Sequence, residues 1–308
     1  MERFKIVRAF ILGPLLEATV PKPGNVNRYR DFGDLTIYNF LFADTAVIGV
    51  YYEAVKTAEL LRKGIISFSE AGIGELIKRA VQASREAQDA NPNFGVIALS
   101  VPLIMGLTVG RNILDAREKA RLLIEESTVR DTMELYRAIR IANPKGIPSG
   151  VKYDVYSDES FRELFRDGIN LARLAEMSCE RELIFCEWIN GYDLSYSTFG
   201  RLYGLIKELP LEDAVVEAFL ELLAEKEDTL IMRKAGRREA DLVRRKAREV
   251  LNGNLSLQEF DAFMREEGDL RNPGSLADIM AVSLSLLVLR GLRMEIRNGK
   301  VWGVIGRP

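Results

Sequence analysis

Asn93-Phe-Gly-Val-Ile-Ala-Leu-Ser-Val-Pro-Leu-Ile-Met-Gly-Leu-Thr-Val-Gly110 decides how this chain is read, because the whole run carries no charge. Its length is near the lower limit for a membrane-spanning helix. It also holds Pro102 and three glycines, and basic residues do not flank it in the pattern of a membrane span. A helix that is apolar on every side in such a setting is buried in a protein core. The run therefore predicts a central helix of a globular protein.

On both sides of this run the periodicity is helical. Arg3 to Thr19 places Phe4, Val7, Ile11 and Leu15 on one face and stops at Pro21-Lys-Pro. Its charged residues and the lack of a small-residue cleavage site read as a first helix rather than a signal peptide. Thr36 is placed as the N-cap of a helix running to about Lys63. Ser69 to Gln88, Asn112 to Glu126 and Thr128 to Ala142 read as amphipathic helices. Further helices are predicted over roughly 158–177, 180–190, 194–208, 211–226, 236–251 and 256–267, and an almost wholly apolar one over 275–290. Asn298-Gly299 between two short alternating runs is a hairpin signal. The predicted fold class is all-α: one compact multi-helix domain over 1–308 with a small C-terminal β-hairpin. The turn-rich segment 143–150 is the candidate internal linker.

Composition narrows the chemistry. With 308 residues, 47% of them hydrophobic and 29% charged, the chain can bury a substantial core. Its net charge of −2 gives no support for binding to nucleic acid or to anionic membranes. It contains no histidine, which removes His-based acid–base catalysis, Ser–His and Cys–His pairs and imidazole metal sites. Cys179 and Cys186 are seven residues apart, about 10 Å if both lie on one helix, too far for a disulfide. They are expected as buried thiols, in keeping with a cytoplasmic protein. Abundant charge and scarce Gln suggest a thermophile.

Four polar stretches stand out against the apolar helices. In the first, Glu17 to Asp34, Pro21 and Pro23 end a helix and stiffen a loop, and Gly24 allows close approach of a bound group. Lys22 and Arg28 put cations beside the amide of Asn25, a composition suited to phosphates. The same residues also fit a plain connection between helices. The second stretch is Asn91-Pro-Asn93-Phe-Gly95. The third, Asp228-Thr-Leu-Ile-Met-Arg233-Lys234-Ala-Gly236, fits a helix C-terminus or a cationic site. The fourth is Asn272-Pro-Gly274-Ser275-Leu-Ala-Asp278. There Asp278 fits either a first-turn carboxylate favoured by the helix dipole or a Mg²⁺ ligand or general base. Apolar helices over 36–55, 94–109 and 276–289 each begin just after a polar loop. If they are central, their N-termini can present positive dipole ends to one anionic ligand.

Taken in order, Pro21-Lys-Pro-Gly, the Asn-x-Asn-x-Gly helix start, Asp-Thr-x3-Arg-Lys-x-Gly and Asn-Pro-Gly-Ser-x-Ala-Asp resemble the triphosphoribosyl-dephospho-CoA synthases, most closely their archaeal branch. The resemblance runs from about Glu17 to Ala281. It implies an all-helical transferase that moves the triphosphoribosyl group of ATP to the ribose 2′-OH of 3′-dephospho-CoA and releases adenine.

The resemblance further implies Glu17, Asp34 and Asp278 as catalytic carboxylates, with Glu17 and Asp278 also holding Mg²⁺. It implies Lys22, Gly24, Asn25, Arg28, Asn91, Asn93, Arg233, Lys234, Asn272 and Ser275 as the nucleotide- and phosphate-binding set. The partners it implies are small molecules, ATP and a CoA-like acceptor. Apart from the resemblance, the terminal hairpin and a long apolar helix could serve the interface of a homodimer. No step of this chemistry needs histidine. The chain departs from the family pattern at three places. Arg30 or Phe32 stands near a common loop histidine, Pro92 replaces a common Thr, and Asn27 replaces the usual acid after Pro-Gly. These departures keep a second reading open, a non-catalytic or hydrolytic nucleotide-binding relative.

Overall fold

A computed structural model describes residues 3–32, 35–147 and 149–306. The uncharged run forms helix α5, Phe94–Val109, and nearly every residue in it is buried. Pro102 lies inside α5 and has no N–H, so the carbonyl of Ala98, one turn earlier, loses its helical donor. The indole N–H of Trp188 fills that vacancy at 3.1 Å, and the Tyr192 hydroxyl donates to the carbonyl of Leu99 at 2.9 Å. Both donors are themselves fully buried, so these two carbonyls are satisfied inside the core.

The described residues contain sixteen α-helices and one two-stranded sheet, so the all-α expectation is met. The helices are α1 (Arg3–Thr19), α2 (Ile37–Ala46), α3 (Ile48–Arg62), α4 (Ile73–Ala87), α5, α6 (Ile113–Glu125), α7 (Val129–Ala142) and α8 (Glu159–Asp167). They continue with α9 (Leu171–Ser178), α10 (Leu183–Ile189), α11 (Asp193–Leu205), α12 (Leu211–Glu225), α13 (Thr229–Ala235), α14 (Arg237–Leu251), α15 (Leu257–Arg265) and α16 (Gly274–Leu289). None of them alone is long and apolar enough to cross a membrane.

The chain packs as two compact units, Met1–Ile11 with Phe42–Asp193, and Leu12–Leu41 with Leu194–Pro308. Within the first, α3 and α6 lie against α5, and α4 pairs with α7. Within the second, α12 packs on α14 and α16, and α13 touches both α14 and α16. Gly13 of α1 permits a very close approach there: a Cβ on it would fall 2.5 Å from the backbone nitrogen of Ser285 in α16. Segment 143–150 lies inside the first unit.

The Asn-Gly signal is realised as β1 (Leu292–Arg297) and β2 (Lys300–Ile305), antiparallel, with Arg297 opposite Lys300. Asn298 and Gly299 have φ of 50° and 75°, the left-handed pair that a two-residue hairpin turn demands.

Four expectations are corrected. The helix predicted to run from Thr36 to Lys63 breaks at Val47 into α2 and α3. Its N-cap is where expected, with Asn39 accepting from the Thr36 N–H at 2.9 Å and its hydroxyl at 3.0 Å. The helix over 158–177 breaks at Gly168, whose φ of 64° ends α8. A separate short helix, α13, occupies the third polar stretch.

Cys179 and Cys186 form a disulfide with Cα atoms 4.5 Å apart. The expectation of free thiols assumed one continuous helix. Instead Cys179–Arg181 is a single 3-10 turn and Glu182 is extended, which folds the chain back on itself.

Candidate active site

The Pro-Lys-Pro-Gly loop begins where α1 ends, and Lys22 turns back over that end. Its ammonium pairs with Glu17 Oε1 at 2.9 Å and donates to the carbonyls of Glu17 and of Val20, the latter at 3.3 Å. A lysine over a helix C-terminus satisfies carbonyls that have no helical partner. Lys22 is only 1% exposed and lies 5.8 Å from the centre of the Phe219 ring. Burial pushes the Glu17 carboxyl above its ordinary range, and Lys22 opposes that shift.

Two residues on α15 hold the rest of the loop. Asp261 accepts from the Gly24 N–H at 2.9 Å and from the Arg30 guanidinium at 2.8 Å. Arg265, one turn later, pairs with Asp261 at 2.9 Å and donates to the carbonyls of Asn25 at 2.7 Å and Asp31 at 3.0 Å. Its guanidinium also lies 4.9 Å from the centre of the Phe32 ring. Gly24 has φ of 69° and lies against Met264, so a side chain at 24 would meet both strain and a neighbour.

Asn27 Oδ1 accepts from the N–H groups of Tyr29 and Arg30 at 3.0 and 3.1 Å. An aspartate would fill that acceptor role equally well. Among the described residues, the buried Asn25 Nδ2 has no hydrogen-bond partner. Arg28 is exposed and pairs with Glu212 at 2.5 Å. Asp34 lies outside the described residues.

The third and fourth stretches meet in the same unit. Asp228 is the N-cap of α13, and its Oδ1 accepts from Leu230 and Ile231 at 2.8 and 3.0 Å. Its Oδ2 accepts from the N–H of Leu276, in the first turn of α16, at 2.8 Å. One buried carboxylate therefore serves two helix N-termini. Burial raises its pKa, opposed by those three backbone donors and by Arg233. Thr229 and Ser275 share a buried hydroxyl contact at 2.9 Å. A Cβ on Gly274 would crowd the end of the Leu230 side chain at 2.6 Å and lie 3.3 Å from Asn272 Oδ1. Arg233 and Lys234 fill the last turn of α13, and Lys234 reaches the Asp269 carbonyl at 2.9 Å. Asp278 is half-buried, one turn into α16.

Asn91 and Asn93 belong to the first unit. Asn93 is buried just before α5, with its Nδ2 donating to Asp44 at 2.7 Å and its Oδ1 accepting from Ser84 at 2.9 Å. Asn91 is half-buried on the preceding loop. Sequence reasoning missed Asp44, Asp261 and Arg265, and it placed Asp228 in the third motif without giving it a role. Asp228-Thr carried a readable N-cap signal, while Asp261 and Arg265 look like an ordinary i,i+4 helix pair.

These features define an all-α protein whose polar motifs cluster at helix ends, the places where backbone donors and dipoles serve anionic groups. The chain belongs to the ATP:dephospho-CoA triphosphoribosyl transferase (CitG) family, whose family model matches residues 3–296. A solved structure from Archaeoglobus fulgidus, described as a candidate triphosphoribosyl-dephospho-CoA synthase, is similar to it with a TM-score of 0.60 and 25% identity. That similarity covers 80% of this chain and 97% of the other. Curated proteins give no match. The chain is thus an enzyme, and triphosphoribosyl transfer from ATP to dephospho-CoA is its family's reaction.

Proposed function

We propose that this enzyme breaks the N-glycosidic bond of ATP and joins C1 of the ribose to the 2′-OH of 3′-dephospho-CoA, the hydroxyl proton leaving with adenine. The match over residues 3–296, which takes in all four motifs, carries this reading. Bond cleavage passes through an oxocarbenium-like state that a nearby carboxylate stabilises. Asp278 suits that role or the role of base towards the 2′-OH, because it is half-buried and follows the Ser275 turn. Asp34 is a second carboxylate for these roles. The unsatisfied amide of Asn25 and the cations Arg233 and Lys234 suit the triphosphate, with Gly24, Asn272 and Ser275 shaping the loops around it. Arg28 suits the outer part of the acceptor, and Asn91 and Asn93 suit the ribose.

Mg²⁺ brought with the triphosphate would neutralise its charge. No group of three or more metal-ligating side chains occurs among the described residues. Mg²⁺ in phosphate sites is bound by one or two carboxylates plus phosphate oxygens, and Asp278 can provide such a carboxylate. Glu17, engaged by Lys22, is the other candidate.

We place the protein in the cytoplasm, where ATP is found. Its disulfide fits that compartment if the source is a thermophilic archaeon, since intracellular hyperthermophile proteins are disulfide-rich. The near-neutral net charge fits small-molecule partners and not nucleic acid or membrane.

Incubation of the pure protein with ATP, Mg²⁺ and dephospho-CoA is expected to release adenine with formation of the triphosphoribosyl adduct. Asp278→Asn is expected to abolish both. Adenine released at the same rate without acceptor would make the enzyme a hydrolase, and ATP binding without turnover would make it a binding protein.

A further inference from the structure

The terminal hairpin has an open edge whose chemistry matches itself. Gly306 donates to the Gly291 carbonyl at 3.0 Å, and the two-residue turn makes Arg297 and Lys300 the closing hydrogen-bonded pair. The alternation of an antiparallel ladder then turns the main-chain groups of Arg293, Glu295 and Arg297 towards β2. Those of Leu292, Met294 and Ile296 face outward, along an edge that no other strand covers among the described residues.

The side chains of these three residues share one face of the ribbon. At the root of the hairpin that face is covered: Gly303 lies against Leu292, Ile206 and Leu211. Towards the tip it is bare, with Met294 66% and Ile296 80% exposed. On the opposite face, Arg293 and Glu295 alternate, and Glu295 pairs with Arg297 of its own strand at 2.6 Å.

We propose that β1 pairs antiparallel with β1 of a second copy of this chain about a twofold axis at Met294, giving a four-stranded sheet across the dimer. In this register Leu292 lies opposite the partner's Ile296 and Met294 opposite the partner's Met294, so each bare tip gains the partner's covered root. Arg293 lies opposite the partner's Glu295, twice, in the close non-hydrogen-bonded pairs where opposite charges attract most. A twofold axis at Glu295 instead sets Glu against Glu and Arg against Arg. One at Ile296 leaves Met294 against the partner's Asn298. Charge and apolarity therefore select the first register. An interface of one strand edge is small, so the dimer is reversible.

The test is the mass of the full chain by light scattering across a concentration series. Wild type is expected to shift from monomer to dimer. Ile296→Arg and Glu295→Arg are expected to stay monomeric at concentrations where wild type is dimeric. The charge exchange Arg293→Glu with Glu295→Arg is expected to regain the dimer. Met294→Cys is expected to give a covalent dimer on oxidation. These positions are exposed and none belongs to the four motifs, so circular dichroism and adenine release are expected to remain at wild-type levels, which confirms folding. A wild type that stays monomeric, or a dimer that these variants leave intact, overturns the proposal. A cross-link at Ile296→Cys with none at Met294→Cys overturns the register.

Discussion

The Pro-Lys-Pro-Gly loop and the junction of α13 with α16 are both built at helix ends, yet they are held in different ways. The loop is held by charges. Lys22 is sealed against Glu17, and Asp261 and Arg265 reach it from far along the sequence. The junction is held by one carboxylate accepting three backbone N–H groups. Breaking a charged pair strands a buried ion, whereas losing an acceptor strands neutral donors. The first is the costlier kind of damage. The loop therefore depends on two partners surviving together, and the junction depends on one residue alone.

The largest effect is expected from Lys22→Met, which leaves Glu17 buried without its cation. A loss of about 3–5 kcal/mol in chemical denaturation is expected, with most of it restored by adding Glu17→Gln. If the double variant were no more stable than the single one, the view of the loop as a charge-held structure would fail.

The same pair sets a pH dependence. The folded Glu17 carboxyl titrates above its ordinary 4.5, so just above that pH the native state keeps a proton that the unfolded chain has released. Its contribution to stability therefore falls as pH rises through that window, and the double variant should flatten the slope. Asp228→Ala comes next, at about 3 kcal/mol for three stranded donors, with adenine release falling alongside. Asp228→Asn keeps one acceptor oxygen and should lose less.

Arg265→Ala removes two carbonyl contacts and one ion pair at the partly exposed edge of the loop, for about 1–2 kcal/mol. The rise in KM for ATP should exceed the fall in kcat if the loop binds the donor nucleotide. Arg28→Ala, whose partner Glu212 is also solvent-accessible, should cost under about 1 kcal/mol.

Much of the helical order was legible because long helices repeat their apolar residues many times. Thr36 with Asn39, and Asn298 with Gly299, show that caps and turns can be read from a few residues. Val47 and Gly168 were harder, since each sits inside a pattern that continues past it. Helix α13 is too short to show a period, and Cys179 was misread because one 3-10 turn changes every distance after it. In the site, the motifs were visible as punctuation between helices. Their supports were not, because Asp261 and Arg265 differ in no local respect from any surface ion pair. Only the fold shows that they reach a loop 237 residues away.

Gly13 has one more consequence. A Cβ at position 13 would fall 2.5 Å from the Ser285 backbone nitrogen, so α1 and α16 approach here as closely as two helices can. Amides along this closely packed seam should exchange with deuterium only when the unit opens as a whole. Those of residues 24–32 need only a local opening, and their exchange should quicken first as temperature rises. A seam that exchanges only globally beside a loop that exchanges locally would mark the loop as the softer part of this unit.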